Sequence, residues 1–364
     1  MEEHKAKYEE IIDWIKEKLA NKELEDGSRL ASENELTVLF RVSRQTVRHA
    51  FSVLENQGLV ERRKGSGTYI KIPRADERKH TKTMRVGVVT TYINEYIFAP
   101  IIREVEKVLS KSGYDMQLSF TNNSVEKERL ILKSLNKNMT VDGIIAEPTR
   151  SGLPNPNLKL YQEIIDSGVP VIFLNSFYPD IDAPHISMND KMAGKIVTEH
   201  LLQCGHRKIG GIFKSDDGQG HCRYAGYMEA LMEADLKVKS ERIAWIDTEG
   251  LRSYKEYFSW VLKRLADCTA CVCYNDEVAN MLVSMCLEQG IRIPDDLSVV
   301  GIDNSDLASY CEVSLTSAEN PVKDLGRIAA QGILNLINGH SNQESIELNP
   351  SIIIRNSVKI IDSL

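Results

Sequence analysis

The chain has 364 residues, 42% of them hydrophobic, and a formal net charge of −7, so it can hold two or three packed domains and is not basic throughout. Its first residues, MEEHKAKYEE, lack the apolar core of a signal peptide, and no apolar run is long enough to span a bilayer, so a cytoplasmic protein without membrane contact is expected. Seven cysteines, an odd number, suit a reducing compartment.

The charge is unevenly placed. Residues 41–82 hold 11 Lys and Arg against 4 Asp and Glu, whereas residues 83–364 hold 28 against 37. A basic footprint on an acidic body fits specific, releasable binding to nucleic acid better than general coating.

Taken in chain order, Tyr8, Ile11, Ile12, Ile15 and Leu19 form an apolar stripe at helical spacing, with Trp14 off the stripe and expected to pack against a neighbour. Glu25-Asp26-Gly27 then breaks the helix. Ser32 followed by Glu35 is a capping box, and Leu36, Leu39 and Phe40 after it predict a second helix. Three residues, 41–43, separate it from a third, N-capped by Ser43, whose buried face is Val47, Ala50, Phe51 and Leu54. That is the spacing of a helix-turn-helix.

The other side of the third helix displays Gln45, Arg48, His49 and Ser52, with Arg44 at the flank. Arginine matches the acceptors of guanine and glutamine the edge of adenine, so this face can read bases; an ordinary solvated helix face would carry similar charges. Residues 59–63 and 68–72 read as two short strands around Lys64-Gly65-Ser66-Gly67, a wing. Gly65 and Gly67 permit a close backbone approach to phosphate, which Arg62, Arg63 and Lys64 can neutralise. A plain surface hairpin would look much the same.

Residues 73–83, PRADERKHTKT, read as an exposed linker, which divides the chain into a head (1–72), a linker (73–83) and a large remainder (84–364). In that remainder, apolar runs at 84–89, 116–120, 141–146, 169–174, 209–213, 270–274 and 297–302 alternate with helical stretches, a parallel α/β order of a length that favours two similar lobes. Ligands of such folds bind at the carboxyl ends of the strands. There stand Thr91 and Tyr92, Glu147, Asn175, Lys214 with Asp216 and Asp217, Asn275 with Asp276, and Asp303 with Asn304. Singly, each is also what a turn or a helix N-cap would place there; their convergence points to a small hydroxylated ligand, a sugar.

No G-x-S-x-G, Walker lysine loop or H-E-x-x-H is present, and His200, His206 and His221 have no ligand spacing. No catalytic or metal-binding residues are therefore expected, with a sugar-metabolising enzyme and a sugar-transport component as the rival readings. Cys268, Cys271 and Cys273 are expected to be buried thiols rather than a zinc or redox site.

Residues 5–72, with SENELTVLFRVSRQTVRHAFSVLENQGLVERRKGSGTYI at their core, resemble the winged helix-turn-helix head of the GntR family of bacterial regulators. From Met84 the chain is similar to the sensors of the lactose/galactose repressor family. The resemblance rests on HLLQCGHRKIGGI (200–212), the arginine of CRYAGY (222–227), CYNDEVA (273–279) and IPDDLSVVGIDNSD (293–306). It implies a winged helix-turn-helix (α+β) head joined to an α/β, two-lobed, periplasmic-binding-protein-like sensor with parallel sheets.

This uncommon pairing is found in Gram-positive repressors of arabinose utilisation, which TTYINEYIFAPIIR (90–103), IIAEPTRSGLPNPN (144–157) and GIFKSDDGQG (211–220) also resemble. The resemblance implies a homodimeric repressor without a cofactor, bound to operator double-stranded DNA and released by a small sugar. L-arabinose is the effector implied, with another pentose or a hexose as the alternative. By matching position, Arg223, Asn275 and Asp303 would hold sugar hydroxyls, with Asn175 and Asn320 as additions; Tyr92, Glu147, Lys214 and Asp216 complete the ligand candidates. Glu33, Arg44, Arg48 and the wing around Lys64 would contact DNA, joined by Gln45, Thr46, Arg62, Arg63, Gly65 and Gly67. The charged linker stands where lactose-repressor-type sensors carry a hinge helix, so hinge-based switching is not implied.

Overall fold

In the computed structural model the described residues are 7–21, 23–56, 59–63, 66–71, 82–92, 96–138, 140–340 and 343–361. They fall into two compact units, Met1–Thr81 and Lys82–Leu364. Most of the expected linker, like Lys64 and Gly65 of the wing, lies outside the described residues; Thr83, its last residue, is tied to the second unit by bonds from its N and Oγ1 to Asp142 Oδ1 at 2.8 and 2.9 Å.

The first unit runs α1 (Lys7–Ala20), α2 (Glu33–Phe40), α3 (Arg44–Asn56), β1 (Val60–Arg63) and β2 (Gly67–Ile70). The capping box forms: Ser32 Oγ accepts from Glu35 N, and Glu35 Oε2 accepts from Ser32 N at 2.7 Å. Arg41 at φ 51° then turns the chain, so α3 starts three residues later against α2. Ile11 and Ile15 of α1, Leu36 of α2 and Val47, Ala50 and Leu54 of α3 are fully buried in one cluster with Val60 and Ile70 of the hairpin. Trp14 packs edge-on against Phe40, ring centroids 5.6 Å apart. The hairpin also gains an edge unforeseen in the sequence: Leu30 N donates to Thr68 O, and Ile70 N to Ser28 O, so the segment before α2 pairs with β2.

The second unit begins β3 (Arg85–Thr90), α4 (Phe98–Lys111), β4 (Asp115–Phe120), α5 (Val125–Asn138), β5 (Gly143–Ala146), α6 (Leu158–Asp166), β6 (Val171–Leu174) and β7 (His185–Met188). It continues α7 (Asp190–Gln203), β8 (Ile209–Lys214), α8 (Gly218–Glu233), β9 (Ile243–Ile246), α9 (Thr248–Arg252), α10 (Tyr254–Leu265), β10 (Ala270–Cys273), α11 (Asp276–Glu288), β11 (Ser298–Asp303), α12 (Asp306–Tyr310) and β12 (Thr316–Glu319). It closes with α13 (Val322–Ile337), β13 (Ile346–Leu348) and β14 (Ser351–Ile353).

The strands make two sheets, ordered β13-β7-β6-β5-β3-β4 and β14-β12-β11-β10-β8-β9. All pairings within these two sheets are parallel except β12 with β14, in keeping with the parallel sheets expected. The chain crosses between lobes three times, before α7, before α13 and before β14, so neither lobe is a continuous stretch. Each sheet is covered by helices on both faces, as its fully apolar central strands require. Cys271 and Cys273 of β10 face the same core as Cys268, without contact to a polar partner set.

In the second lobe α7 and α8 approach unusually closely. A Cβ on Gly194 would lie 2.0 Å from Arg223 O, and one on Gly226 would lie 1.9 Å from Lys191 O, so each glycine admits the other helix's backbone.

Candidate functional site

In the head, α3 begins on Ser43, whose Oγ accepts from Thr46 N at 3.2 Å and lies 2.9 Å from Thr46 Oγ1. Thr46 is thereby committed to the cap. Arg44 and Gln45 are exposed. Arg48 donates from Nε to Glu33 Oε2 at 2.9 Å, a link from the first turn of α2 to the outer face of α3 that leaves the rest of the guanidinium exposed. Arg62 lies 3.4 Å from Glu55 and donates to Arg48 O, while Arg63 pairs with Glu61 and sits 4.5 Å over the Tyr69 ring. Gly67 has φ 125° and carries the Arg29 guanidinium, whose Nε is 3.1 Å from where a Cβ would stand. Arg29 is exposed beside the wing, and its place there was invisible in sequence because it depends on the pairing of residues 28–30 with β2.

In the second unit, the carboxyl ends of both sheets meet at a cavity of about 220 Å³. Tyr92, Glu147, Asn175, Lys214, Arg223, Asn275 and Asp303 line it, seven of the nine ligand candidates. Asp216 and Asn320 do not: Asp216 turns away to accept from Thr248 N at 3.1 Å, and Asn320 donates to Asp303 Oδ1 at 3.2 Å from behind. The lining also includes Tyr96, Phe98, Asp217, Gln219, Arg252 and Tyr274, which sequence reasoning did not select as binding residues. Tyr274 and Asp217 stood at strand ends already noted, whereas Tyr96 enters only because the lobes face each other.

Three adjacent strands of the first lobe, β3, β5 and β6, deliver Thr91, Glu147 and Asn175 side by side. Thr91 donates from N and Oγ1 to Glu147 Oε2 at 2.7 and 2.6 Å, and Asn175 Nδ2 donates to Oε1 at 3.1 Å. Burial pushes the Glu147 carboxyl up to about 7, against the pull of these donors.

The second lobe supplies charge. Arg223, 1% exposed, donates to Asp190 Oδ1 at 2.8 Å, Tyr274 O at 2.6 Å and Asp303 Oδ1 at 3.3 Å. Burial works against its charge, and Asp190 and Asp303 more than offset it. Lys214 is held 2.6 Å from Asp217 and 3.6 Å from Asp216, which likewise outweigh the burial that opposes its charge. Arg252 pairs with Glu249 at 3.0 Å. The two buried cations of the lining, Lys214 and Arg223, are thus matched by carboxylates of the protein, whereas the exposed Arg252 shares Glu249 with Arg150.

The lobes are bridged on both sides. Tyr96 donates to Asp303 Oδ2 at 2.8 Å and accepts from Asp276 N, while Asn123 bonds Thr248 Oγ1 at 2.7 Å and Arg150 bonds Glu249 at 3.0 Å. The arrangement can seat a small neutral molecule, orient its hydroxyls from both lobes and cover its carbon faces with Tyr92, Tyr96 and Tyr274. Among the described residues the lining contains no histidine, cysteine or serine that could serve as a nucleophile with its base. Among the described residues no helix is long and apolar enough to cross a membrane, and no three His, Cys, Asp or Glu side chains gather as a metal site would require.

Comparison with known proteins agrees with both units. Residues 7–70 match the gntR family of bacterial regulatory proteins and residues 198–358 the periplasmic binding protein-like domain. The chain is 34% identical, over 97% of its length and 96% of the relative's, to the arabinose metabolism transcriptional repressor of Geobacillus stearothermophilus. It is 35% identical, over the same shares, to the repressor of that name from Halalkalibacterium halodurans. Among solved structures it is similar to the transcription regulator CcpA of Lactococcus lactis, with a TM-score of 0.67 and 28% identity over 76% of this chain and 99% of that one.

Proposed function

The chain belongs to the family of arabinose metabolism transcriptional repressors, and on that premise we propose that its interlobe cavity takes a neutral monosaccharide, L-arabinose, as the signal to release operator DNA. It is a DNA-binding repressor with a sugar-sensor-like second unit, not an enzyme. The observation that carries the ligand class is the pairing inside the cavity. The two buried cations, Lys214 and Arg223, are each neutralised by carboxylates of the protein, which disfavours a phosphate or carboxylate ligand, while amides and carboxylates remain for hydroxyls. A volume of about 220 Å³ lies below the ~300–1,000 Å³ of pockets for drug-sized ligands, which favours one sugar ring over two.

For the head, Arg44, Gln45 and Arg48 read base edges in the major groove, each good bidentate contact giving about 1–3 kcal/mol of discrimination. Glu33 holds Arg48, Thr46 sits at the helix start, and Arg62, Arg63, Lys64 and the backbone at Gly65 and Gly67 meet phosphates. Two copies of the chain bind together, one head to each half of a near-palindromic operator.

A thermal-shift panel of monosaccharides tests the effector: L-arabinose at 100 times its Kd adds about 2.7 kcal/mol of stability, and the same sugar must release operator in a mobility-shift assay. A shift with a different sugar only would replace arabinose; no shift with any would overturn the sensor reading.

A further inference from the structure

One buried atom in the cavity is unaccounted for. Asn175 is 2% exposed and its Oδ1 has no hydrogen-bond partner among the described residues, although a buried acceptor of this kind is costly to leave unpaired. Its orientation is not free. Asn175 leaves β6 with φ 68° and its N bonded to Ile186 O, and its amide meets Glu147 Oε1 at 3.1 Å. An ionised carboxylate only accepts, so it must face the Nδ2 of Asn175 and force Oδ1 to the other side. Glu147 is fixed in turn, because Oε2 already takes both donors of Thr91.

Resting on the reading of this cavity as the effector site, we infer that Glu147 is a positioning residue that sets the hydrogen-bond polarity of Asn175. In this arrangement Asn175 offers the sugar an acceptor, so recognition at this point requires a hydroxyl that donates. Glu147 acts through Asn175, and the pair together determines specificity: a ligand carrying hydrogen or fluorine where that hydroxyl belongs leaves Oδ1 buried and unpaired. The rejection should amount to about 5- to 150-fold in Kd, the equivalent of one unmet buried hydrogen bond.

The relay can be inverted. In Glu147→Gln the side-chain carbonyl is retained by the two Thr91 donors, so Nε2 faces Asn175, which turns its own Oδ1 inward and presents Nδ2, a donor, to the cavity. Adding Asn175→Asp to Glu147→Gln restores the original polarity, since the new carboxylate accepts from Gln Nε2 and still shows an oxygen to the ligand, with the net charge of the pair unchanged.

The test is calorimetric titration of the full chain at pH 8, above the value of about 7 to which burial pushes Glu147, with L-arabinose and its monodeoxy and monofluoro analogues at each hydroxyl position. The wild type should reject both the deoxy and the fluoro analogue at one position. Glu147→Gln should accept the fluoro analogue there, and the double variant should reject it again, a reversal that simple loss of structure cannot produce. An unchanged analogue pattern in Glu147→Gln, or a double variant that stays tolerant, overturns the relay while leaving the effector reading intact. If the wild type binds no monosaccharide at all, the effector reading falls and the relay with it.

Discussion

Arg223 and Asp303 meet at 3.3 Å with 1% and 2% of their side chains exposed, and Asp190 holds the other edge of the same guanidinium at 2.8 Å. A sugar site described from sequence alone would treat Arg223 as a contact that can be removed without harm. Its burial predicts otherwise. Arg223→Ala leaves two buried carboxylates without their cation, a loss of about 3–5 kcal/mol in stability. Chemical denaturation checks this: a sensor transition unchanged within 1 kcal/mol would mean that Arg223 serves the ligand and not the fold.

The backbone contact between α7 and α8 makes a second prediction. Gly226→Ala drives a Cβ into Lys191 O, and main chain cannot yield as a side-chain tip would, so the helices must separate. Overpacking of this kind costs about 1–3 kcal/mol, and here it also shifts the helix that carries Arg223. The variant should unfold at lower denaturant and need more sugar for operator release; normal values of both would show that the helices part freely.

In the head, Arg48→Ala should cost about 1–3 kcal/mol on operator and relax specificity at one base pair. Glu33→Gln keeps the helix start but weakens the anchor on Arg48 Nε, and it removes a negative charge near the DNA. It should therefore strengthen binding to random DNA while narrowing the ratio of specific to random affinity. Equal losses on both DNAs for Arg48→Ala would assign that residue to a phosphate.

The contrast between these sites follows what a sequence can carry. The three head helices, their capping box and the central strands were legible because each is a local pattern: one buried face at helical spacing, or a short apolar run. Strands β7, β9 and β12 were not, since HISM and TSAE are short and mixed and IAWI is only four residues long, and all three become strands by pairing with neighbours distant in sequence. Rules about strand ends brought most of the cavity's polar residues into view. They could not tell that Asp216 and Asn320 stand behind it, because Asp216 is claimed by the backbone of Thr248 and Asn320 by Asp303. Tyr96 was missed for the same reason: its partners are contributed by the opposite lobe.

Stability should respond to pH through the buried acids. Burial pushes Glu147 up to about 7, and burial with Asp303 alongside does the same to Asp276. A carboxyl whose folded pKa is raised contributes stability that is full below its unfolded value, about 4, and lost as pH rises through about 7. His185, His200 and His206 are lowered by burial and act in the opposite sense, but only below their ordinary value of about 6.5. Between pH 6.5 and 8 the acids set the sign, so the midpoint of the sensor's thermal unfolding should fall over that interval. A flat or rising midpoint would show that both acids are already ionised at pH 6.5.

Asn275 offers the cleanest probe of ligand contact, because its two side-chain atoms have separate duties. Oδ1 accepts from Val278 N at 3.0 Å and caps α11, while the residue also lines the cavity, where Nδ2 has no partner among the described residues. Asn275→Ala would confuse the two by removing the cap, at about 1 kcal/mol. Asn275→Asp preserves the cap, since aspartate caps as well as asparagine and suits a helix N-terminus, yet it replaces the donor facing the ligand with an acceptor. The cap should be kept, and sugar affinity should fall by about 1–3 kcal/mol if a hydroxyl accepts from Nδ2. Operator affinity without sugar should be unchanged, so the variant would remain bound at sugar concentrations that release the wild type. Sugar affinity within twofold of the wild type would confine Asn275 to its helix cap.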